Sequence, residues 1–140
     1  DLNANYIDWA KRNMTHNGFK IRPSDRFIVE NCLKFVKLDA AHHRYDLIVC
    51  DPPTFSNSKR MTSSFSVDRD HTDLIRSCLK LLRPDGRLLF STNSKSFDLQ
   101  GSAIPQGAHV TEITHQTVPL DFPKGSHKCW VIRKGPIETD

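Results

Sequence analysis

The run Asp51-Pro52-Pro53-Thr54-Phe55 places a carboxylate, two prolines and an aromatic ring directly after the most hydrophobic segment of the chain, residues 45–50. Because proline has no backbone N–H, the two prolines stiffen the turn and leave carbonyl oxygens without competing donors. A rigid, acceptor-rich rim of this kind can hold the donor edge of a nucleobase, and Phe55 can stack on a base drawn out of its helix. The alternative is a tight turn that only ends the strand, since Asp-Pro is common in turns.

Polar side chains also follow two other apolar runs. Glu30 and Asn31 come directly after Phe27-Ile28-Val29, and Ser91-Thr92-Asn93 follow Phe90. In open α/β sheets, ligands bind outside the carboxyl ends of the strands. The sequence therefore predicts that these polar residues gather with the Asp51 segment at one edge of a sheet.

The spacing of apolar residues predicts alternating helices and strands that would form this sheet. The predicted helices cover residues 2–14, capped by Asp1 or Asn3 and ended by Asn17-Gly18, and residues 32–38 and 70–82. The predicted strands cover residues 26–30, 45–50, 87–91, 108–117 and 129–132, with a turn at 83–86 and loops at 56–66, 101–107 and 119–128. The order predicts an open α/β sheet, mostly parallel, with an antiparallel strand at its C-terminal edge and buried strands at its centre.

Composition narrows the choice of partners. The chain has 140 residues, enough for one domain, with 20 Lys and Arg against 16 Asp and Glu and a pI near 9.0. This balance suits a polyanionic partner without requiring one. No apolar run approaches the roughly 20 residues of a membrane span, and no secretory leader is present, so we expect a cytoplasmic protein without a membrane partner. The four cysteines form no CxxC pair, so we expect reduced thiols and no metal site.

The longer run DPPTFSNSKRM at residues 51–61, together with Arg69-Asp70-His71 and Cys129-Trp130, resembles the C-terminal catalytic domain of the bacterial 23S rRNA guanine methyltransferases of the RlmKL family. The resemblance covers nearly the whole chain. It implies a Rossmann-like class I methyltransferase sheet, S-adenosyl-L-methionine as the cofactor, 23S rRNA as the partner and methyl transfer to N7 of a guanine. It also implies a catalytic role for Asp51, Pro52, Pro53 and Phe55.

The resemblance further implies a cofactor site. Asp1 matches the acidic residue that holds the ribose hydroxyls, and Asn31, with Cys32 beside it, stands where the family usually has the Asp that faces the adenine amino group. Asp51 would border the same site. An Asn carbonyl can still accept the adenine bond. The alternatives are that Asp1 only caps the first helix and that Asn31 only caps the second.

Basic residues near the Asp51 segment are candidates for RNA contact. Lys59 and Arg60 lie in a polar, serine-rich loop and Lys95 follows a predicted strand, and cationic side chains at such positions can neutralise phosphates. The resemblance adds Arg69 and His71 at the start of a helix, where with Asp70 they would help shape the base pocket. A solvated turn is the alternative for the loop and for Lys95, and a helix cap is the alternative for the neighbouring Asp70.

No Gly-x-Gly occurs in the chain, although the family cradles the methionine end of its cofactor on a glycine-rich turn. We therefore expect residues 1–140 to be the C-terminal part of one methyltransferase domain, truncated at the N-terminus and inactive alone. The parent protein could carry an upstream methyltransferase domain as well. An uncovered sheet edge would also favour self-association.

Other activities are weighed against N7 methylation. Cytosine C5 methylation is disfavoured because its cysteine nucleophile commonly follows the Pro-Pro pair, and Thr54 occupies that position. Methylation of an exocyclic amine on RNA or DNA remains open, because Asp-Pro-Pro with a nearby aromatic residue also serves that reaction. A non-catalytic RNA-binding fragment is the third possibility.

Overall fold

A computed structural model describes residues 1–38, 45–57 and 64–134 of the chain. The chain divides into two compact units, residues 1–38 and residues 39–140, and each is described by itself. Within the described ranges, no helix combines the length and apolar character that crossing a membrane requires.

The first unit begins with helix α1 (Ala4–His16), as predicted. Asn3 is its N-cap, because its Oδ1 accepts the backbone N–H of Asn5 at 2.9 Å. The helix ends on Gly18, whose φ of +77° is left-handed, and Phe19 N–H donates to the Met14 carbonyl at 2.9 Å. This closing bond is typical of a Schellman motif, so Asn17-Gly18 ends the helix as the sequence indicated.

The strand predicted at residues 26–30 is absent from the described structure. The backbone of this extended segment bonds to the first residue of the chain: the Asp1 amino group donates to the Ile28 carbonyl at 3.3 Å, and Glu30 N–H donates to the Asp1 carbonyl at 3.0 Å. A strand requires a continuous ladder with a neighbour, and a single facing residue does not provide one. The apolar run is therefore extended without being a strand, and Val29 is exposed. Helix α2 (Cys32–Leu38) then follows as predicted.

The described residues of the second unit, 45–57 and 64–134, form six strands and two α-helices. The strands are β1 (Tyr45–Cys50), β2 (Phe55–Ser56), β3 (Phe65–Ser66), β4 (Leu82–Thr92), β5 (His109–Glu112) and β6 (Lys128–Arg133). The helices are α3 (Val67–Leu81) and α4 (Thr114–Thr117), and a 3-10 turn lies at Gly101–Ala103. Four strands form one sheet in the order β1-β4-β6-β5, and β2 pairs with β3 in a separate antiparallel ribbon.

The main sheet confirms the predicted α/β class. β1 and β4 are parallel, and β6 is antiparallel to both β4 and β5, so three of the four strands point in the same direction. The antiparallel strand is the last one along the chain, as predicted. It lies between β4 and β5, so β5 forms the edge of the sheet.

The observed elements also differ from the predicted ones at places where a neighbouring element outweighs the pattern of the local sequence. The predicted turn at 83–86 lies within β4, where the pairing jumps from Tyr45↔Leu82 to Leu47↔Arg87. Gly86 fits there because a Cβ at this position would lie 2.9 Å from the Tyr45 carbonyl oxygen. The predicted loop at 56–66 is strand at both ends, and the predicted strand at 108–117 ends at Glu112 and continues into α4.

The core lies between α3 and one face of the main sheet. Leu74, Ile75 and Cys78 of α3 are buried, as are Leu88 and Phe90 of β4. Strand β1 is less buried than predicted, because side chains alternate between the two faces and β1 is the edge strand opposite β5. Ile48 is half-buried in register with Leu88, whereas Val49 is 64% exposed on the other face.

Candidate active site

Asp51 follows β1 directly and is held by the neighbouring strand. The hydroxyl of Ser91, in β4, donates to Asp51 Oδ1 at 2.7 Å. The two strands are parallel, so their carboxyl ends lie at the same edge of the sheet. The polar residues after β1 and at the end of β4 therefore come together as the sequence predicted.

The rest of the Asp-Pro-Pro segment is tied down at Thr54. Its hydroxyl donates to Asn93 Oδ1 at 3.0 Å, just beyond the end of β4. Its carbonyl accepts the N–H of Val67, the first residue of α3, at 3.0 Å. With Pro52 and Pro53 restricting the backbone between them, Asp51 and Thr54 form a rigid rim.

Phe55 lies one residue past this rim, in β2, where it pairs with Ser66 of β3. Its side chain is 60% exposed, although an aromatic ring of this size is usually buried in a core. A ring that is held by a strand and exposed on its surface can stack on a planar group such as a base.

Buried beside Asp51 is Cys129 of β6, which pairs in register with Ser91. Burial raises the pKa of the Cys129 thiol, a hydrogen bond with Thr117 opposes this shift, and the negative charge of Asp51 raises it further. The thiol is therefore protonated at neutral pH, and it is not activated as a nucleophile. Cys129-Trp130 carried part of the family resemblance, but no local pattern indicated that Cys129 lies beside Asp51.

Arg69 and Asp70 shape the beginning of α3. Arg69 makes two bonds to the Asp70 carboxylate, at 2.8 and 2.7 Å, and also donates to the Ser64 carbonyl. Asp70 Oδ2 accepts the N–H of Ser66, the N-cap residue, at 2.9 Å. The contacts of Asp70 are therefore those of a helix cap, which was the alternative interpretation of this residue. Arg69 remains a candidate for RNA contact, although its guanidinium is already paired with Asp70.

Replacing Asp70 with asparagine is expected to destabilise the protein by about 1 kcal/mol at pH 7, because it weakens the cap and removes the ion pair with Arg69. The hydrogen bonds from Arg69, followed by the bond from Ser66, lower the pKa of Asp70 below its ordinary value of 3.8. The stabilisation is thus complete above pH 3.8 and is lost as the pH falls through the lowered value. Urea unfolding from pH 7 downward should show the two proteins converging in stability. Asp73→Asn, at an exposed site on α3, is the control, and an equal loss at every pH would contradict the assignment.

His71 is a correction to the predicted RNA contacts. It is only 1% exposed, so it offers no surface to RNA in this structure. Its Nδ1 donates to the Val67 carbonyl at 2.8 Å, and its Nε2 accepts the N–H of Gln100 at 3.3 Å. The sequence already indicated that His71 is buried, since it precedes Leu74 and Ile75 by three and four residues on the apolar stripe of α3.

The other predicted RNA contacts are placed as follows. Lys95 is exposed, shortly after the end of β4 and on the same stretch of chain as Ser91 and Asn93. Lys59 and Arg60 lie outside the described residues.

The three predicted cofactor residues of the first unit lie near one another in the chain fold. Asp1 Oδ1 accepts the Asn3 N–H at 2.7 Å, and the backbone bond from Glu30 to Asp1 brings Asn31 close by. Asn31 Oδ1 accepts the Leu33 N–H at 2.9 Å, which is the helix-cap contact given as its alternative. Cys32 is exposed as the first residue of α2.

Comparison with known proteins gives close sequence relatives. The chain is 44% identical over 137 residues to the ribosomal RNA large subunit methyltransferase K/L of Shewanella pealeana, covering 94% of the chain and 19% of that protein. The corresponding protein of Magnetococcus marinus is 46% identical over 135 residues, covering 94% and 18%. The chain thus spans about a fifth of the length of the curated relatives it matches. No protein-family model matches the sequence.

Solved structures match the fold. A protein of Streptococcus mutans described as a SAM-dependent methyltransferase has a TM-score of 0.74 at 23% identity, covering 94% of the chain and 36% of that protein. The SAM-dependent methyltransferase of Agrobacterium tumefaciens has a TM-score of 0.69 at 20% identity, covering 97% and 47%. A third methyltransferase, solved with S-adenosylhomocysteine, has a TM-score of 0.73 at 21% identity, covering 94% and 37%. The chain therefore has the fold of the SAM-dependent methyltransferases, and its sequence is similar to one segment of the ribosomal RNA large subunit methyltransferases K/L.

Proposed function

We propose that this chain is the base-holding part of an S-adenosyl-L-methionine-dependent methyltransferase that modifies N7 of a guanine in 23S rRNA. The observation that carries the proposal is the rim at Asp51, where Ser91 fixes a carboxylate on the same short segment as the exposed ring of Phe55. The names of the K/L relatives and the methyltransferase fold support methylation of large-subunit rRNA, while N7 of guanine rests on the rim and on the family resemblance.

The rim has groups that can hold a base in one plane and in one orientation. Asp51 Oδ1 is engaged by Ser91, and Oδ2 has no hydrogen-bond partner among the described residues. A carboxylate can accept from both N1–H and the 2-amino group of guanine, while the ring of Phe55 stacks on the base. Guanine presents these two donors side by side, so the rim favours it over adenine.

Methylation at N7 needs little proton transfer. N7 carries an in-plane lone pair and no proton, so the protein has to align this atom with the methyl donor and stabilise the cationic purine that forms. The negative charge of Asp51 favours that cation, and the rigid prolines keep the carboxylate in place. No general base is required in this scheme, which agrees with the protonated thiol of Cys129.

S-Adenosyl-L-methionine, when bound, supplies an electrophilic methyl group on a sulfonium. The first unit offers groups that fit its adenosine part. Asp1 is exposed and uses one carboxylate oxygen for Asn3, which leaves the other for ribose hydroxyls. The Asn31 carbonyl accepts one N–H and has a second lone pair for the adenine amino group.

Two further assignments belong to this proposal. Residues 1–140 are taken as the C-terminal part of one methyltransferase domain, within a parent protein that is several times longer, as its relatives are. Lys95 and Arg69, together with Lys59 and Arg60, are taken as contacts to the phosphates of the rRNA.

The test is methyl transfer by the full-length parent protein to deproteinised 23S rRNA, with S-adenosyl-L-methionine carrying a labelled methyl group. We expect label in guanosine, and chain cleavage by borohydride and aniline at the labelled position, because this treatment opens N7-methylated guanine. Label on an exocyclic amine, which resists that treatment, would replace N7 by the alternative reaction. RNA binding without any label would indicate a non-catalytic module.

A further inference from the structure

The end of β4 makes two side-chain bonds to the Asp-Pro-Pro-Thr segment. Ser91 donates to Asp51 at 2.7 Å, and Asn93 accepts from Thr54 at 3.0 Å. The two contacts come from alternate residues of one chain segment, and they meet the first and last residues of the rim. The rim is therefore held at both ends by the neighbouring strand.

Ser91 is well placed to fix a carboxylate. It lies in β4, which is paired on one side with β1 and on the other with β6, and its own partner in β6 is Cys129. A hydroxyl on a strand with neighbours on both sides moves little. Asp51, by contrast, is exposed beyond the end of β1, and its side chain has two rotatable bonds. The Ser91 bond selects one orientation of the carboxylate and uses one lone pair of Oδ1.

Asn93 acts on the other end of the rim. The Thr54 hydroxyl donates to its Oδ1, and the Thr54 carbonyl is bonded to Val67 N–H. These contacts fix the side chain and backbone of Thr54 independently. Since Phe55 follows Thr54 directly in the chain, these contacts also fix the backbone position from which the exposed ring extends.

We propose that Ser91 and Asn93 are positioning residues for methyl transfer: Ser91 holds the Asp51 carboxylate, and Asn93 holds Thr54 and hence the start of Phe55. This inference rests on the proposed function, because it assigns to the two residues the task of orienting the base-binding groups. Neither residue needs to touch the reacting atoms.

The first test compares Ser91→Ala with Ser91→Thr in the full-length parent protein, with 23S rRNA as the substrate. A lost hydrogen bond to a charged group should lower kcat about 10- to 100-fold. The KM for RNA should change little, since the phosphate contacts proposed for Lys95 and Arg69 are left intact. Ser91→Thr keeps the hydroxyl and should restore most of kcat. Ser102→Ala, an exposed serine in the 3-10 turn, is the matched control and should behave like the wild type.

Asn93 gives a second test that does not risk the fold, because its side chain is exposed. Asn93→Asp keeps an oxygen that accepts from Thr54, whereas Asn93→Leu removes it at similar size. We expect Asn93→Leu to lower kcat about tenfold and Asn93→Asp to lower it much less. Equal activity of the two variants would show that the Thr54 bond has no role in positioning.

A double-mutant cycle distinguishes a failure of the positioning role of Ser91 from a failure of the proposed function. If Ser91 acts through Asp51, then Ser91→Ala should cost little in a protein that already carries Asp51→Ala. An Asp51→Ala protein with normal activity would refute the proposed function. An Asp51→Ala protein with reduced activity, in which Ser91→Ala causes its full loss again, would leave the function standing and refute positioning by Ser91. Thermal unfolding of each variant identifies any loss that comes from the fold.

Discussion

Asp51→Ala in the full-length parent protein is expected to lower kcat for rRNA methylation at least about 100-fold, the scale of losing one preorganised electrostatic group. The change removes the acceptor for the base and the charge that favours the cationic product. The hydroxyl of Ser91 also loses its partner, although it lies near solvent. Because Asp51 is exposed, the fold should persist.

Single-turnover methyl transfer measures this effect, with circular dichroism to confirm folding. Asp98→Ala is the control, since Asp98 is also an exposed aspartate of the second unit. Asp51→Asn should fall between the two proteins, as an amide can still accept from guanine but carries no charge. Normal methylation by Asp51→Ala would overturn the proposed role of the rim.

Phe97→Ala is expected to destabilise the protein by about 3–5 kcal/mol, the usual cost of removing a buried aromatic ring. Phe97 is 1% exposed and contacts three rings, with centroid distances of 4.7 Å to His71, 5.8 Å to Phe90 and 5.4 Å to Trp130. Its carbonyl also accepts a bond from the Lys128 ammonium group. The ring thus joins α3, β4 and β6 beside the chain segment that carries Ser91.

Urea unfolding followed by tryptophan fluorescence measures this loss, because Trp130 packs directly on Phe97. Phe122→Ala is the matched control, since that ring is 56% exposed and should change stability by no more than about 0.5 kcal/mol. If the two substitutions cost the same, Phe97 is not a centre of the core.

The elements that could be predicted from the sequence are those whose signal is local. Helix α2 and strand β1 have the predicted bounds, because turn residues flank a clear apolar pattern in each case. The segment at 26–30 has an equally clear apolar pattern, but its backbone bonds to Asp1 do not extend into a strand ladder. Strand formation depends on a neighbour, which a pattern along one segment does not specify.

The location of the candidate site at one edge of the sheet could be predicted from the sequence. The contacts between its side chains could not. Parallel strands bring Asp51 and Ser91 to one edge, which follows from topology. The bond between them depends on register and side-chain rotamers, which no local pattern determines. His71 was assigned to RNA from the family resemblance, while its position on the apolar stripe of α3 indicated burial.

The strand order β1-β4-β6-β5 has a consequence for how the protein folds. Cys50 pairs with Phe90 and Phe90 with Trp130, so each of these pairings must close roughly 40 residues of chain, which costs entropy before any contact is gained. During synthesis, the Asp51 rim is made well before Ser91 and Cys129 exist to receive it. Until then, β1 has no strand to pair with, and its backbone groups are open to association with other chains. The rim acquires its geometry only when β4 pairs with β1 and brings Ser91 to Asp51.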